Sequence, residues 1–202
     1  AVVRSKKPVY WCSTCETALA EAEVEYHDHT SPSIYVKFPV VSDLGDIDPA
    51  LAGDNLQVVI WTTTPWTLPA NQGVALNPHL DYVLVQAGEQ RLMLAEGMLE
   101  DSMARWNIDD YRVVGRAAGA VFDRQLLQHP FYHRHVPIVL GDHVTLDAGT
   151  GAVHTAPGHG LEDYIVGQRY GLPVDNPVGG NGCFLPGTPL FEGEHVFKAN
   201  EH

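Results

Sequence analysis

Short runs of β-branched and aliphatic residues, each cut off within a few positions by Gly, Pro, Asn or Asp, recur along this 202-residue chain. That punctuation leaves little room for long helices and predicts a fold built mainly from strands. Ser33 to Val41 alternates as a strand does, and Leu56 to Thr62 carries Val58, Val59, Ile60 and Trp61 at its centre. Tyr82 to Gln86 and Arg91 to Ala95 flank Gly88-Glu89 and read as a hairpin. Tyr111 to Val114, Val136 to Leu140 and Gly151 to Thr155 supply further strands. Two segments are helical. Glu96 to Trp106 places Met98, Leu99, Met103 and Trp106 at helical spacing, and Leu161 to Tyr170 opens on Glu162-Asp163 and stops at Gly171 and Pro173. Asn176 to Pro189, rich in Gly and Pro, reads as loop. The predicted architecture is mainly β with a few helices, closed into a β-barrel over residues 31–202, with residues 1–30 as a cysteine-containing stalk or appendage.

Composition narrows the function classes. Hydrophobic residues make up 45% of the chain and charged ones 18%, enough for a packed core and too apolar for a disordered tail. A formal net charge of −13 opposes a broad electrostatic grip on nucleic acid, so a polynucleotide partner would be touched only at its end. No apolar run approaches the roughly 20 residues of a membrane helix, and no secretory leader is evident. Three cysteines, one close pair and one remote, make no disulfide framework, so a reduced cytoplasmic setting is expected. Ala1 stands where an initiator methionine would, which predicts an interior piece of a longer protein.

Two stretches concentrate chemistry. Thr62, Thr63, Thr64 and Thr67 fall where a strand enters a Pro-bounded loop, Trp61-Thr-Thr-Thr-Pro-Trp-Thr-Leu-Pro-Ala-Asn71. Hydroxyls at such a place can bind a sugar hydroxyl, a carbonyl or a water, although threonines are also ordinary strand-end residues. The second stretch, Gly149-Thr-Gly-Ala-Val-His-Thr-Ala-Pro-Gly-His-Gly-Leu-Glu-Asp-Tyr164, joins sharp glycine turns to His154, His159, Glu162 and Asp163. Its H-x4-H-x3-D spacing admits a metal, but no H-E-x-x-H accompanies it; satisfied core histidines and a helix-capping Asp163 are the plain alternative. Cys12-Ser-Thr-Cys15 is half of a tetrahedral zinc set, with His27 and His29 the nearest candidates to complete it.

Together the two long motifs resemble the editing domain of isoleucyl-tRNA synthetase, the connective-peptide-one insertion of that class I family. Lys7-Pro-Val-Tyr-Trp-Cys-Ser-Thr-Cys15, Thr17 to Tyr26 and Val196-Phe-Lys-Ala-Asn200 extend the likeness over nearly the whole chain. Valyl-type relatives are similar but carry an arginine where Thr64 stands and a lysine where His154 stands, so the isoleucyl likeness is the stronger. Neither an H-I-G-H-type turn nor a K-M-S-K-S-type loop is present, so no amino-acid activation or ATP use is expected of these residues.

The resemblance implies a hydrolase that clears valine from the 3′ end of isoleucine tRNA, with valyl-adenylate as a second substrate, working beside the rest of a parent synthetase and without a membrane. By that likeness Asp163 holds the substrate's α-ammonium, and His154 lines the side-chain pocket. Thr62, Thr63, Thr64 and Thr67 contact the terminal ribose, the carbonyl or the attacking water. Trp66, Asn71 and His159 are supporting binding residues. Editing itself needs no cofactor, and any structural zinc at Cys12 and Cys15 would be completed only in the full-length parent. Three rivals stay open at this level: a non-catalytic docking module, a metal-dependent hydrolase using His154, His159 and Asp163, and a valyl-type editing domain.

Overall fold

The computed structural model describes residues 6–28, 30–53 and 55–200. In chain order its strands are β1 (Trp11–Cys12), β2 (Thr17–Ala18), β3 (Ile34–Pro39), β4 (Leu56–Thr62), β5 (Gly73–Leu76), β6 (Asp81–Ala87), β7 (Gln90–Ala95), β8 (Arg112–Ala118), β9 (Leu126–Gln128), β10 (His135–Leu140) and β11 (Ala152–Thr155). The α-helices are α1 (Leu99–Arg105), α2 (Leu161–Tyr170) and α3 (Val196–Ala199). The chain divides into two compact units. One comprises Ile34–Thr62 and Gln72–Thr155; the other takes Ala1–Ser33, Thr63–Asn71 and Ala156–His202.

The strand-rich unit holds a five-stranded sheet, β3-β4-β7-β6-β8, and a four-stranded sheet, β11-β5-β10-β9. β4 pairs antiparallel with β3 and parallel with β7. Buried inside the sheet at Val58, Val59 and Ile60, it reads as a continuous apolar run rather than a strict alternation. The β6–β7 hairpin turns at Gly88, whose φ of 57° suits a residue without a Cβ. Val59, Val83, Val85, Leu92, Leu94 and Met103 form one core cluster, flanked by Tyr35, Leu99, Trp106, Ile108 and Tyr111. Tyr82 ties this unit internally: its buried hydroxyl donates to the Gly151 carbonyl at 2.6 Å and accepts from the Asn77 N–H at 2.9 Å.

The expected closed barrel is not what forms. Among the described residues neither sheet closes on itself. Just past β3, the bridge Val40↔Leu127 and the Val41 N–H, which donates to the Leu126 carbonyl at 2.8 Å, reach β9 without joining the two sheets into one closed ladder. β9, at three residues, is too short to carry more. On the other side β11 lies near β4 without a hydrogen-bonded ladder to it. The mainly-β reading with few helices stands, as two open sheets.

The second unit is loop-rich. The β1–β2 hairpin carries Cys12 and Cys15. A cluster of Phe184, Val196 and Ala199 is covered by Trp66, Val178 and Phe191. Helix α2 is closed at its C-terminus by Gly171 in the left-handed region, φ 68°, whose N–H reaches back to Gln168. Among the described residues no helix is long and apolar enough to cross a membrane.

Candidate active site

The strand-rich unit holds Thr62 and His154. Thr62 is the last residue of β4, paired with Ile34 and buried. His154 sits in β11 opposite Val74 of β5 and is 9% exposed. The turn before β11 explains that placement. Gly149 and Gly151 both have positive φ, 83° and 72°. A Cβ on Gly151 would stand 2.3 Å from the Ala95 Cβ, and one on Gly149 would meet the Trp61 ring at 3.1 Å. Between them the Thr150 hydroxyl donates to the Val59 carbonyl at 2.6 Å and pins the turn to β4. Next to His154, the Thr155 hydroxyl is buried with no hydrogen-bond partner, an unmet group for which the sequence reading assigned no role.

The loop-rich unit holds Thr63, Thr64, Trp66, Thr67, Asn71, His159, Glu162 and Asp163. Pro65–Ala70, expected as loop, is a 3-10 helix. Pro65 at its first position presets the backbone, and the Thr64 carbonyl accepts from both the Thr67 N–H at 3.1 Å and the Thr67 hydroxyl at 2.8 Å. Thr67 and Asn71 are thereby buried, Thr64 is half-buried and Thr63 is exposed. The Trp66 N–H donates to the Asn200 side chain at 3.1 Å. Its indole meets the His159 ring edge-on, with centroids 5.3 Å apart and planes at 88°. Burial pushes His159 down to about 4, so this imidazole is neutral at pH 7. Its Nε2 is buried without a hydrogen-bond partner.

Asp163 lies in the first turn of α2 and bends back across Gly160: a Cβ there would meet the carboxylate at 2.6 Å. Burial raises its pKa from an ordinary 3.8 to about 6, the Ala156 N–H partly offsets that rise, and Glu162 adds to it. Among the described residues no cation neutralises this carboxylate. A half-buried carboxylate with one amide donor and no counter-charge is prepared for a cationic ligand.

The chain passes between the units at the 33–34, 62–63, 71–72 and 155–156 peptide bonds. Within the strand-rich unit the last two of these points are coupled, because the Gln72 N–H donates to the Thr155 carbonyl at 2.8 Å. Thus Thr62 and His154 belong to one unit, while Asp163 and the other threonines belong to the other.

Among the described residues no group of three or more His, Cys, Asp or Glu side chains could hold a metal ion, whether at His154, His159 and Asp163 or at Cys12 and Cys15. The Cys12 sulfur accepts from the Cys15 N–H at 3.4 Å, and the backbone N–H groups of Cys15 and Thr14 hold its thiol below the ordinary value. His27 faces Glu25, and His29 lies outside the described residues. Two thiols do not complete a tetrahedral zinc set.

The family described as "Leucyl-tRNA synthetase, editing domain" matches residues 45–182, more than half of the chain. This chain belongs to that editing-domain family. It is similar to the isoleucine–tRNA ligase of Methylococcus capsulatus, 60% identical over 100% of this chain and 22% of that protein. The isoleucine–tRNA ligase of Alkalilimnicola ehrlichii is 58% identical over 98% of this chain and 22% of that protein. The editing domain therefore spans about a fifth of the length of these curated relatives. The Plasmodium knowlesi cytosolic leucyl-tRNA synthetase editing domain shares the fold, with a TM-score of 0.56 at 12% identity over 65% of this chain and 59% of that one.

Proposed function

We propose that this editing domain hydrolyses the ester joining valine to the 3′-terminal adenosine of isoleucine tRNA, with valyl-adenylate as a second substrate, in the cytoplasm and as part of an isoleucine–tRNA ligase. The observation that carries the reading is Asp163, a half-buried carboxylate held by one backbone N–H and lacking a counter-charge. The α-ammonium of an aminoacyl ester is the cation it suits. Binding that ammonium keeps Asp163 ionised, since a neighbouring positive charge opposes the effect of burial.

Water then attacks the ester carbonyl. The tetrahedral intermediate collapses, the bond to the ribose oxygen breaks, and that oxygen takes up a proton, releasing valine and free tRNA. Thr62, Thr63, Thr64 and Thr67 contact the ribose, the carbonyl or the water, with Trp66, Asn71 and His159 supporting the bound substrate. His154 bounds the side-chain pocket and excludes isoleucine. Such a second site answers a physical limit. One methylene in an apolar pocket gives a preference of only about 10–200-fold, a figure established for this very pair of amino acids rather than obtained from this structure.

Deacylation of valyl-tRNA by the purified chain tests the reading. Asp163→Ala is expected to abolish hydrolysis while circular dichroism shows an intact fold. Near-normal hydrolysis by this variant would remove the ammonium anchor and the mechanism with it.

A further inference from the structure

Helix α1 and the turn before β11 border a cavity of about 130 Å³ that lies wholly within the strand-rich unit. Its walls include Trp61, Asp101, Ser102, Arg105, Asp147 and Gly149. Tyr35, the cross-strand partner of Trp61 in the β3–β4 ladder, supplies a second aromatic ring to the same walls. Gly149 lets the turn come close to the Trp61 ring, since a Cβ there would stand 3.1 Å from it. At roughly 30 Å³ for each water of the liquid, the space is that of about four waters.

The polar groups of this cavity are gathered but not paired with one another. Ser102 is 2% exposed and its hydroxyl has no hydrogen-bond partner, although a serine inside a helix can bond the carbonyl one turn back. Asp101 and Arg105 stand one turn apart on α1, in the order and at the spacing where opposite charges ordinarily meet. Among the described residues neither of them forms an ion pair, and nor does Asp147. All three charged residues are exposed, so their charged ends are open to a ligand from solvent. Two carboxylates offer acceptors for an ammonium group, and a guanidinium offers a planar fork for a carboxylate.

We infer that this cavity binds a small zwitterionic amino acid, no bulkier than alanine. Its α-ammonium lies on Asp101 and Asp147, and its carboxylate on Arg105 and the Ser102 hydroxyl. The charges select this class of ligand. A bare metal cation would set Arg105 against a like charge, and an inorganic anion would face two carboxylates. A zwitterion meets both signs at once. The rings of Tyr35 and Trp61 add to the hold on the ammonium, because aromatic rings attract cations. A space of about four waters suits glycine or alanine better than a branched side chain, so this ligand differs from the valine that the hydrolytic reading gives to Asp163. The inference does not depend on that reading.

The test is amide-resolved NMR of the purified chain titrated with L-alanine, read at the peaks of Ser102, Ala148 and Gly149. Saturating shifts are expected at these peaks. Ethylamine and acetate, which carry one charge each, should bind at least about tenfold more weakly, as should L-valine. Asp101→Asn and Arg105→Gln should each weaken alanine binding about tenfold, the loss of one charge-assisted hydrogen bond. Ser102→Ala removes a hydroxyl that the fold does not use, so its urea midpoint should hold or rise while its alanine affinity falls. Asp163→Asn should bind alanine as the parent does. The inference is overturned by the absence of saturable shifts, by ethylamine or acetate binding as tightly as alanine, or by undiminished affinity in Arg105→Gln. Saturation by magnesium ion in place of alanine would overturn it in favour of a cation site, and loss of the shifts in Asp163→Asn would assign them to Asp163 instead.

Discussion

Replacing Asp163 by asparagine should make the protein more stable while destroying its activity, and the structure supplies the magnitude. Burial lifts the carboxyl from 3.8 to about 6, so the folded state holds this proton more tightly than the unfolded chain does. For a raised pKa the sign is fixed. The protonated group sits in the fold without penalty below pH 3.8, and stability is lost progressively as pH rises through about 6. A rise of about two pH units corresponds to about 3 kcal/mol, an upper figure because the side chain is only half-buried. Asparagine keeps an oxygen for the Ala156 N–H and carries no charge. Urea unfolding should therefore find Asp163→Asn more stable than the parent by about 1–3 kcal/mol at pH 7.5, with the gap closing through pH 6 and absent below pH 4. An asparagine variant that is less stable at pH 7.5, or whose advantage does not change with pH, would refute the account of a carboxylate buried without a counter-charge.

Three further outcomes are expected. His154→Ala should enlarge the side-chain pocket, so that correctly charged isoleucyl-tRNA is cleaved as well as valyl-tRNA in a deacylation assay; continued sparing of isoleucine would take the gate away from His154. Tyr82→Phe strips the partner from the Asn77 N–H and the Gly151 carbonyl in the interior, which should cost about 1–3 kcal/mol in chemical denaturation, and a neutral result would mean that water replaces the hydroxyl. Dialysis against EDTA should leave valyl-tRNA hydrolysis unchanged, and its loss with restoration by zinc would favour a metal-dependent route.

Elements with strong internal patterning were legible in the sequence, and those defined by distant partners were not. Leu56–Thr62 and Leu161–Tyr170 form at their expected bounds because a continuous apolar run in one, and an acidic first turn with a glycine stop in the other, are local signals. Gly73–Leu76 escaped notice: all four residues are buried, so no alternation marks them, and their strand exists only through β10 and β11. Leu126–Gln128 is likewise a strand through distant partners, β10 and the bridge to Val40. The helix expected over Glu96–Trp106 divides into a 3-10 turn, Glu96–Met98, and α1, with Gly97 pressed so close to Leu146 that a Cβ would stand 2.8 Å away. Closure failed as an expectation because strand count says nothing about whether the last edges meet in register. At the site, residue types announced themselves through motif chemistry, whereas the cavity beside α1 joins Trp61, Ser102, Arg105 and Asp147 from separate segments and has no local signature.

β5 also sets an order of events during synthesis on the ribosome. Its two neighbours, β10 and β11, emerge dozens of residues later, whereas the β6–β7 hairpin has both halves in hand as soon as Ala95 is out. The nascent chain can therefore build part of its five-stranded sheet early, while Gly73–Leu76 waits for β10 at one edge and keeps the other bare until His154 and Thr155 leave the exit tunnel. The strand bearing His154 is thus the piece that completes the four-stranded sheet, and a chain cut short before it would leave an apolar edge open to pairing with its neighbours.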